Sequence, residues 1–152
     1  MSFQFVPVTP ANRVQALSLG VAPGQEHTVE PVAECLAEAD RLALWRPVLV
    51  LDGAGQAVGF AMYGFWDGED RYGRVWLDRF FIDRNFQRRG YAKACLPRLI
   101  DKLRAEYPAA RQALYLSVYA DNAPAIALYR ALGFAFNGER DVNGELVMCL
   151  TA

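Results

Sequence analysis

The sequence predicts an α/β fold built on a sheet of mixed strand direction. Hydrophobic residues make up 53% of the 152 residues, which suffices for one substantial core. Segments of alternating polarity, typical of strands, are interspersed with segments of helical periodicity. A glycine-containing loop near residue 88 joins one strand directly to one helix. Because no internal repeat or flexible linker interrupts the chain, we expect residues 1–152 to form a single domain.

The first half of the chain predicts strands at both ends of a helical region. Residues 3–8 alternate in polarity and predict a strand, and residues 12–19 and 30–44 have the apolar spacing of helices. Residues 48–52 and 57–65 flank a turn that contains two glycines, which is typical of a β-hairpin.

The second half predicts two strand-and-helix pairs and a closing hairpin. Alternation in the next strand breaks at Phe80 and Phe81, which indicates a bulge or a strand covered on both faces. Pro97 lies inside the following helix, where a proline costs about 3 kcal/mol or causes a kink. The first predicted segments are a strand at 74–83 and a turn at 87–92 that leads into a helix ending at about residue 107. A strand at 113–118, a helix at 122–132 and strands at 134–139 and 145–150 follow. The predicted order is β-α-α-β-β-β-α-β-α-β-β.

Charge and cysteine content exclude several classes of function. The net charge of −1 argues against a surface that binds nucleic acid. The three cysteines are widely separated and accompany only one histidine, His27, so no metal site is predicted. Buried thiols fit a reducing compartment. With no signal peptide and no long apolar run, we expect a cytoplasmic protein without a membrane partner.

The loop before the second long helix has the chemistry of an anion receptor. The backbone N–H groups of a first helical turn lack partners within the helix, and the helix dipole favours negative charge there. Gly90 lets the backbone approach a ligand closely, and Arg88 and Arg89 can add charged contacts. These residues alone leave two alternatives open: a phosphate site, or an ordinary turn with solvated arginines.

Two motifs, at residues 87–92 and 122–134, resemble those of the GCN5-related N-acetyltransferase (GNAT) family. Gln87-Arg-Arg-Gly-Tyr-Ala92 resembles its Q/R-x-x-G-x-G/A signature, with Ala92 where glycine is commonest. Asn122-Ala-Pro-Ala-Ile-Ala-Leu-Tyr-Arg-Ala-Leu-Gly-Phe134 resembles its N-x-x-A-I-x-L-Y-x-x-x-G-F segment. Residues 58–65 and 76–82 are similar to paired strands of its spermidine/spermine N-acetyltransferases. The resemblance implies a mainly antiparallel central sheet flanked by helices, and acetyl-coenzyme A (acetyl-CoA) as cosubstrate.

The resemblance also implies which residues hold coenzyme A. The amides of the signature motif cradle its diphosphate, and the strand before them hydrogen-bonds its pantetheine arm and supplies a donor to the oxyanion. The residues concerned are Phe80, Phe81, Ile82, Gln87, Arg88, Arg89, Gly90, Tyr91, Ala92, Lys93, Asn122 and Ala125.

Two further residues are candidates for catalysis. An alkyl ammonium must lose a proton before it attacks a thioester. By resemblance, Asp78 is the base, acting directly or through water, and Tyr129 is the acid that protonates the departing thiolate. The alternatives from composition are that Asp78 pairs with Arg79 or Arg74, and that Tyr129 belongs to the core.

Recognition of a polyamine requires carboxylates at spaced points along the cation. Glu30, Glu34 and Asp78 are the candidates, and Glu69 and Asp70 lie in an acidic loop after the hairpin. Such residues are also common on solvated faces. By resemblance we predict an enzyme that transfers acetyl from acetyl-CoA to a primary amine, a polyamine such as spermidine or spermine. The alternatives are the same reaction on an amino acid, drug amine or protein N-terminus, and a non-catalytic acyl-CoA-binding module. By resemblance we expect a homodimer.

Overall fold

The helices and strands follow the predicted order in the computed structural model, which describes residues 1–67 and 73–152. Short 3₁₀ turns at Glu26–Thr28 and Pro108–Arg111 supplement them. The strands are β1 (Gln4–Pro7), β2 (Arg46–Leu51), β3 (Ala57–Trp66), β4 (Arg74–Ile82), β5 (Ala113–Val118), β6 (Ala135–Arg140) and β7 (Leu146–Thr151). The helices are α1 (Arg13–Leu17), α2 (Val32–Arg41), α3 (Tyr91–Glu106) and α4 (Ala123–Ala131).

The strands form one seven-stranded sheet with the order β1-β2-β3-β4-β5-β7-β6. Every neighbouring pair is antiparallel except β4 and β5, which are parallel. The expectation of a mixed, mainly antiparallel sheet flanked by helices is therefore confirmed. The parallel pair requires a crossover, and α3 provides it.

Each face of the sheet has its own hydrophobic core. On β3, Ala61 and Tyr63 pack with the apolar residues of α3 and with Tyr129 of α4. The alternate residues Phe60 and Met62 pack with those of α1 and α2 on the other face. Side chains alternate across a strand, so a strand covered on both faces is buried along its length.

Helix α3 remains continuous through Pro97. A proline there removes the bond that its N–H would donate to the Lys93 carbonyl. Both residues are exposed, so water can hydrogen-bond to that carbonyl.

Cys35 and Cys95 are buried free thiols, as predicted, whereas Cys149 is half-buried. Among the described helices, none has the length and apolarity that a membrane span requires.

Candidate active site

Strands β4 and β5 diverge and open the sheet at its centre. Their pairing consists of Val75 with Leu114 and Trp76 with Tyr115, after which the strands separate. Two cavities lie at this opening, a groove of about 570 Å³ and a smaller cavity of about 80 Å³. The residues that border both are Thr28, Phe80, Phe81, Asn122, Ala125 and Tyr129.

The Gly90 loop forms one wall of the larger groove. Gly90 precedes α3 with a left-handed backbone (φ 78°), and Arg88 also has positive φ (62°). A Cβ atom built on Gly90 would meet no atom within 4 Å, so the backbone here faces open space. The N–H groups of the first turn of α3 are available to an anion because they have no carbonyl partner within the helix.

Buried polar contacts fix the start of this loop. Asp83 is 3% exposed, and its carboxylate accepts hydrogen bonds from the Gly20 and Asn85 amides (2.9 and 3.2 Å). The Gln87 side-chain amide donates to the Ile82 carbonyl at the end of β4 (3.0 Å) and to Gln25 (3.1 Å). The loop is therefore anchored to the strand end before any ligand arrives.

Tyr129 lies where the two cavities meet. It is 8% exposed and packs edge-on against Phe134, with ring centres 5.7 Å apart. Burial raises the pKa of the Tyr129 phenol, so the hydroxyl keeps its proton at neutral pH. Asn122 caps α4 and its side-chain oxygen accepts from the Ala125 amide (3.4 Å).

A buried arginine in β4 gathers three carboxylates beside the smaller cavity. Arg79 is 15% exposed at its side chain. Its guanidinium lies 2.7 Å from Glu30, 2.9 Å from Asp78 and 3.3 Å from Glu38. Met62 pairs with Arg79 and Tyr63 with Leu77, so Asp78 is the extra residue of a β-bulge. The bulge lies two residues before the predicted break in alternation.

Two more carboxyl groups lie on the turn between β6 and β7. Glu145 borders the smaller cavity, and its carboxyl is hydrogen-bonded to that of Asp141. Burial, and then the Asp141 carboxylate, raise the pKa of Glu145 to about 8. The pKa of Asp141 is lowered: burial opposes this, but hydrogen bonds from Glu145, Asn143 and Ser117 outweigh it.

Comparison with known proteins identifies the family. A sequence model of the acetyltransferase (GNAT) family matches residues 16–134. The chain belongs to the acetyltransferase (GNAT) family. It is 44% identical to a spermine/spermidine N(1)-acetyltransferase of Bacillus subtilis over 151 residues, 97% of each protein. It is 47% identical to the Escherichia coli ribosomal protein bS18 alanine N-acetyltransferase over 53 residues, 35% of this chain and 34% of that one.

The fold is also similar to that of a solved N-acetyltransferase structure. A spermidine N-acetyltransferase from Vibrio cholerae, in complex with CoA and spermine, superposes with a TM-score of 0.72 at 16% identity, covering 98% of this chain and 95% of that one. Membership of the GNAT family confirms the predicted fold class, enzyme class and cosubstrate, acetyl-CoA.

The structure brings most of the predicted cosubstrate residues to the larger groove. Arg89 lies apart from them, with its guanidinium 5.4 Å from the centre of the Phe86 ring. The groove-lining residues are Phe80, Phe81, Ile82, Gln87, Arg88, Gly90, Tyr91, Ala92, Lys93, Asn122 and Ala125. Gln87 borders the groove, but its side-chain nitrogen already donates hydrogen bonds to Gln25 and to the Ile82 carbonyl.

The predicted amine-binding residues divide into two groups. Glu30 and Asp78 border the smaller cavity, whereas Glu34 is exposed on α2 outside both cavities. Asp78 has the pairing with Arg79 that composition left as an alternative. Glu69 and Asp70 lie outside the described residues.

Several residues of the site were not predicted as functional. The sequence predicts residues 141–144 only as the turn of the closing hairpin, and Arg79 only as a partner of Asp78. Asp83 was read only as the end of a strand. The segment Asp141-Val-Asn-Gly-Glu145 has an acidic residue at each end of a turn. Because a tight turn brings its first and last residues together, this pattern could have predicted the contact of the two carboxyl groups.

Proposed function

We propose that this GNAT protein transfers acetyl from acetyl-CoA to a primary amine of a polyamine such as spermidine or spermine. One observation carries the proposal: Tyr129 stands between a groove suited to coenzyme A and a cavity lined by carboxyl groups. The relationship to the Bacillus subtilis enzyme, at 44% identity over 97% of the chain, supports a polyamine as the acceptor.

The larger groove fits coenzyme A by its backbone. The left-handed Gly90 and the first turn of α3 present N–H groups, and Arg88 and Lys93 border the same groove with positive charge. We assign the diphosphate to this wall. The pantetheine arm is assigned to Phe80–Ile82, where β4 has lost its pairing with β5 and its backbone is open to a ligand.

The smaller cavity fits a cationic amine. Glu30, Asp78 and Glu145 border it, and Arg79 is the cation that balances the first two. A primary ammonium offers three N–H donors, so several acceptor oxygens are needed to replace its water. A carboxyl-lined cavity next to an apolar groove satisfies that need and selects amines over neutral alcohols.

The reaction requires a donor for the oxyanion, an acid for the thiolate and a base for the ammonium. We assign the first to a main-chain amide of Phe80–Ile82, as the family resemblance implies. Tyr129 is assigned as the acid, because its buried hydroxyl is protonated and borders both cavities. Asp78, the sequence-based candidate for the base, borders the amine cavity but is paired with Arg79.

A free-thiol release assay tests the proposal. Purified protein is mixed with acetyl-CoA and, in separate reactions, spermine, spermidine, putrescine or butylamine. We expect kcat/KM for spermine and spermidine to exceed that for butylamine by at least about 100-fold, because a monoamine loses two or more charged contacts of about 1.5 kcal/mol each. Equal values for all four amines would contradict polyamine specificity and leave acetyl transfer intact.

Three further proposals complete this assignment. Helices on both faces pack on the one sheet, which supports residues 1–152 as a single domain. A cytoplasmic enzyme is proposed because its free cysteines persist in a reducing compartment. A homodimer is proposed from the family resemblance, and light scattering during size exclusion tests it.

A further inference from the structure

Glu145 borders the amine cavity at the start of β7. It directly precedes β7, next to β5, and it borders the same 80 Å³ cavity as Tyr129 and Asp78. A residue in this place can contact an ammonium that reaches towards Tyr129. Glu145 is therefore placed to take part in the proposed reaction.

The turn between β6 and β7 holds the Glu145 carboxyl in place. The Asp141 amide donates to the Glu145 carbonyl, and the Glu145 amide donates to Oδ1 of Asp141 (both 2.9 Å). The two carboxyl groups are also hydrogen-bonded to each other. Two carboxyl groups in such contact hold one proton between them, because two negative charges would repel.

The proton of this pair belongs to Glu145. Asp141 accepts hydrogen bonds from the main-chain amides of Asn143 and Glu145 (both 2.9 Å) and from the Ser117 hydroxyl. Donors of this kind stabilise the charged form, so Asp141 is the ionised member. Glu145 therefore carries a proton that it releases near pH 8. The charged or titratable groups around it are Asp141, Glu30, Arg79, Tyr119 and, across the cavity, Asp78 and Tyr129.

Glu145 differs from the other carboxylates of the cavity in its partner. Asp78 and Glu30 lie within 2.9 Å of the Arg79 guanidinium, so their carboxylates are already engaged by a permanent cation. Glu145 is paired with an anion instead. A base works best when it titrates near the operating pH, and burial together with the Asp141 neighbour gives Glu145 that property.

We propose that Glu145, held and tuned by Asp141, is the catalytic residue that accepts the proton of the substrate ammonium. The inference rests on the proposed function. The ammonium gives one proton to the Glu145 carboxylate, and its nitrogen lone pair then forms the C–N bond to the thioester carbonyl. The C–S bond breaks, and the thiolate takes a proton from Tyr129. The second nitrogen proton replaces the one that Tyr129 gave, and the third stays on the amide. Asp141 is a positioning residue.

Substitution of both carboxyl groups, with spermidine as substrate, tests this role. For the wild type we expect kcat/KM to rise with pH and to level off above about pH 8, the pKa of Glu145. We expect Glu145→Gln to lower kcat/KM at pH 8.5 by about 100-fold or more and to abolish that rise, with acetyl-CoA affinity unchanged. Asp141→Asn keeps an acceptor for the turn but removes the charge, so the rise should move to lower pH.

Glu139→Gln is the matched control. Glu139 lies on the same hairpin, 2.8 Å from Arg74 and outside both cavities, so its loss should leave the pH profile in place. If the wild type is active but the rise of kcat/KM with pH persists unchanged in E145Q, or is not shifted in D141N, the role of Glu145 is overturned while the proposed function stands. A wild type that acetylates no polyamine at any pH would overturn the proposed function, and this role with it.

Discussion

The Asp78 carboxylate lies 2.9 Å from the guanidinium of its chain neighbour, Arg79. Adjacent residues of a regular strand point to opposite faces of the sheet, so this contact depends on the bulge at Asp78. Since Glu30 and Glu38 contact the same guanidinium, one cation joins β4 to α2 and to the segment before it. Glu30, Asp78 and Arg79 of this ion cluster border the proposed amine site.

Arg79 should contribute strongly to stability. Arg79→Gln leaves three carboxylates gathered without their cation, and we expect a loss of about 3–5 kcal/mol in the free energy of unfolding, because removing one partner leaves buried charge uncompensated. Urea unfolding measures the loss. Arg13→Gln is the control: its pair with Asp40 is exposed, with 41% and 63% of the side chains accessible, and such pairs contribute about 0–1 kcal/mol. Equal losses for the two variants would contradict this account.

The hydroxyl of Tyr129 should act in turnover and not in cosubstrate binding. Tyr129→Phe retains the ring that packs on Phe134, so we expect kcat to fall about 100-fold or more while the Kd for acetyl-CoA changes less than about twofold. Initial-rate assays measure kcat, and calorimetry measures the Kd for acetyl-CoA. Tyr63→Phe is the control, because its hydroxyl bonds Glu106 (3.1 Å) outside both cavities. Full activity in Y129F would remove the acid from the mechanism.

The Gly90 backbone should be needed for coenzyme A. Gly90→Ala places a methyl group in the open space beside the groove, and we expect the Kd for CoA to rise about tenfold or more. Gly55→Ala is a close control: Gly55 also has positive φ (81°) and open space around it, but it lies in the β2–β3 turn. Both variants should lose about 1–2 kcal/mol of stability from backbone strain. A CoA affinity that is unchanged in G90A would contradict the assignment of the diphosphate.

The order of the elements could be predicted from the sequence because local patterns determine it. Alternation and turn residues predicted the hairpin of β2 and β3, and Asn122 with Pro124 predicted the start of α4. The strand order in the sheet depends on pairings between distant segments, such as β5 with β7, which no local pattern specifies. The family resemblance implied a mainly antiparallel sheet, but it did not specify this strand order.

The residues of the site likewise comprise some that a local motif predicts and others that only the packing of distant segments brings together. The Gly90 loop is a continuous segment with a local motif, so its residues could be named in advance. The ion cluster joins Arg79 to Glu30 and Glu38, more than forty positions earlier in the chain. The contact of Glu145 with the amine cavity likewise depends on the separation of β4 from β5. Contacts of that kind follow from packing, and the sequence alone does not specify them.

The raised pKa of Glu145 should also affect stability. From its ordinary value of 4.5 the pKa rises to about 8 in the folded protein, so the unfolded chain loses this proton first as pH rises. The wild type therefore loses stability between about pH 4.5 and 8 on account of this group. Glu145→Gln has no such proton, so its Tm relative to the wild type should increase over that range. Hydrogen bonding to Arg74 lowers the pKa of Glu139, so this group affects the pH dependence of stability only below about pH 4.5, and the Tm of Glu139→Gln relative to the wild type should stay level between pH 4.5 and 8.

A relative Tm of E145Q that is flat with pH, or that falls, would contradict the shared proton. The measurement needs no substrate, and it therefore examines the Asp141–Glu145 contact independently of its role in the reaction.

A crystal structure of the protein with coenzyme A tests the central claim most directly. The account predicts the diphosphate within hydrogen-bonding distance of the main-chain N–H groups of residues 88–93, and the sulfur directed towards Tyr129. A diphosphate bound elsewhere, or a sulfur directed away from the cavity that Glu145 and Asp78 border, would contradict it.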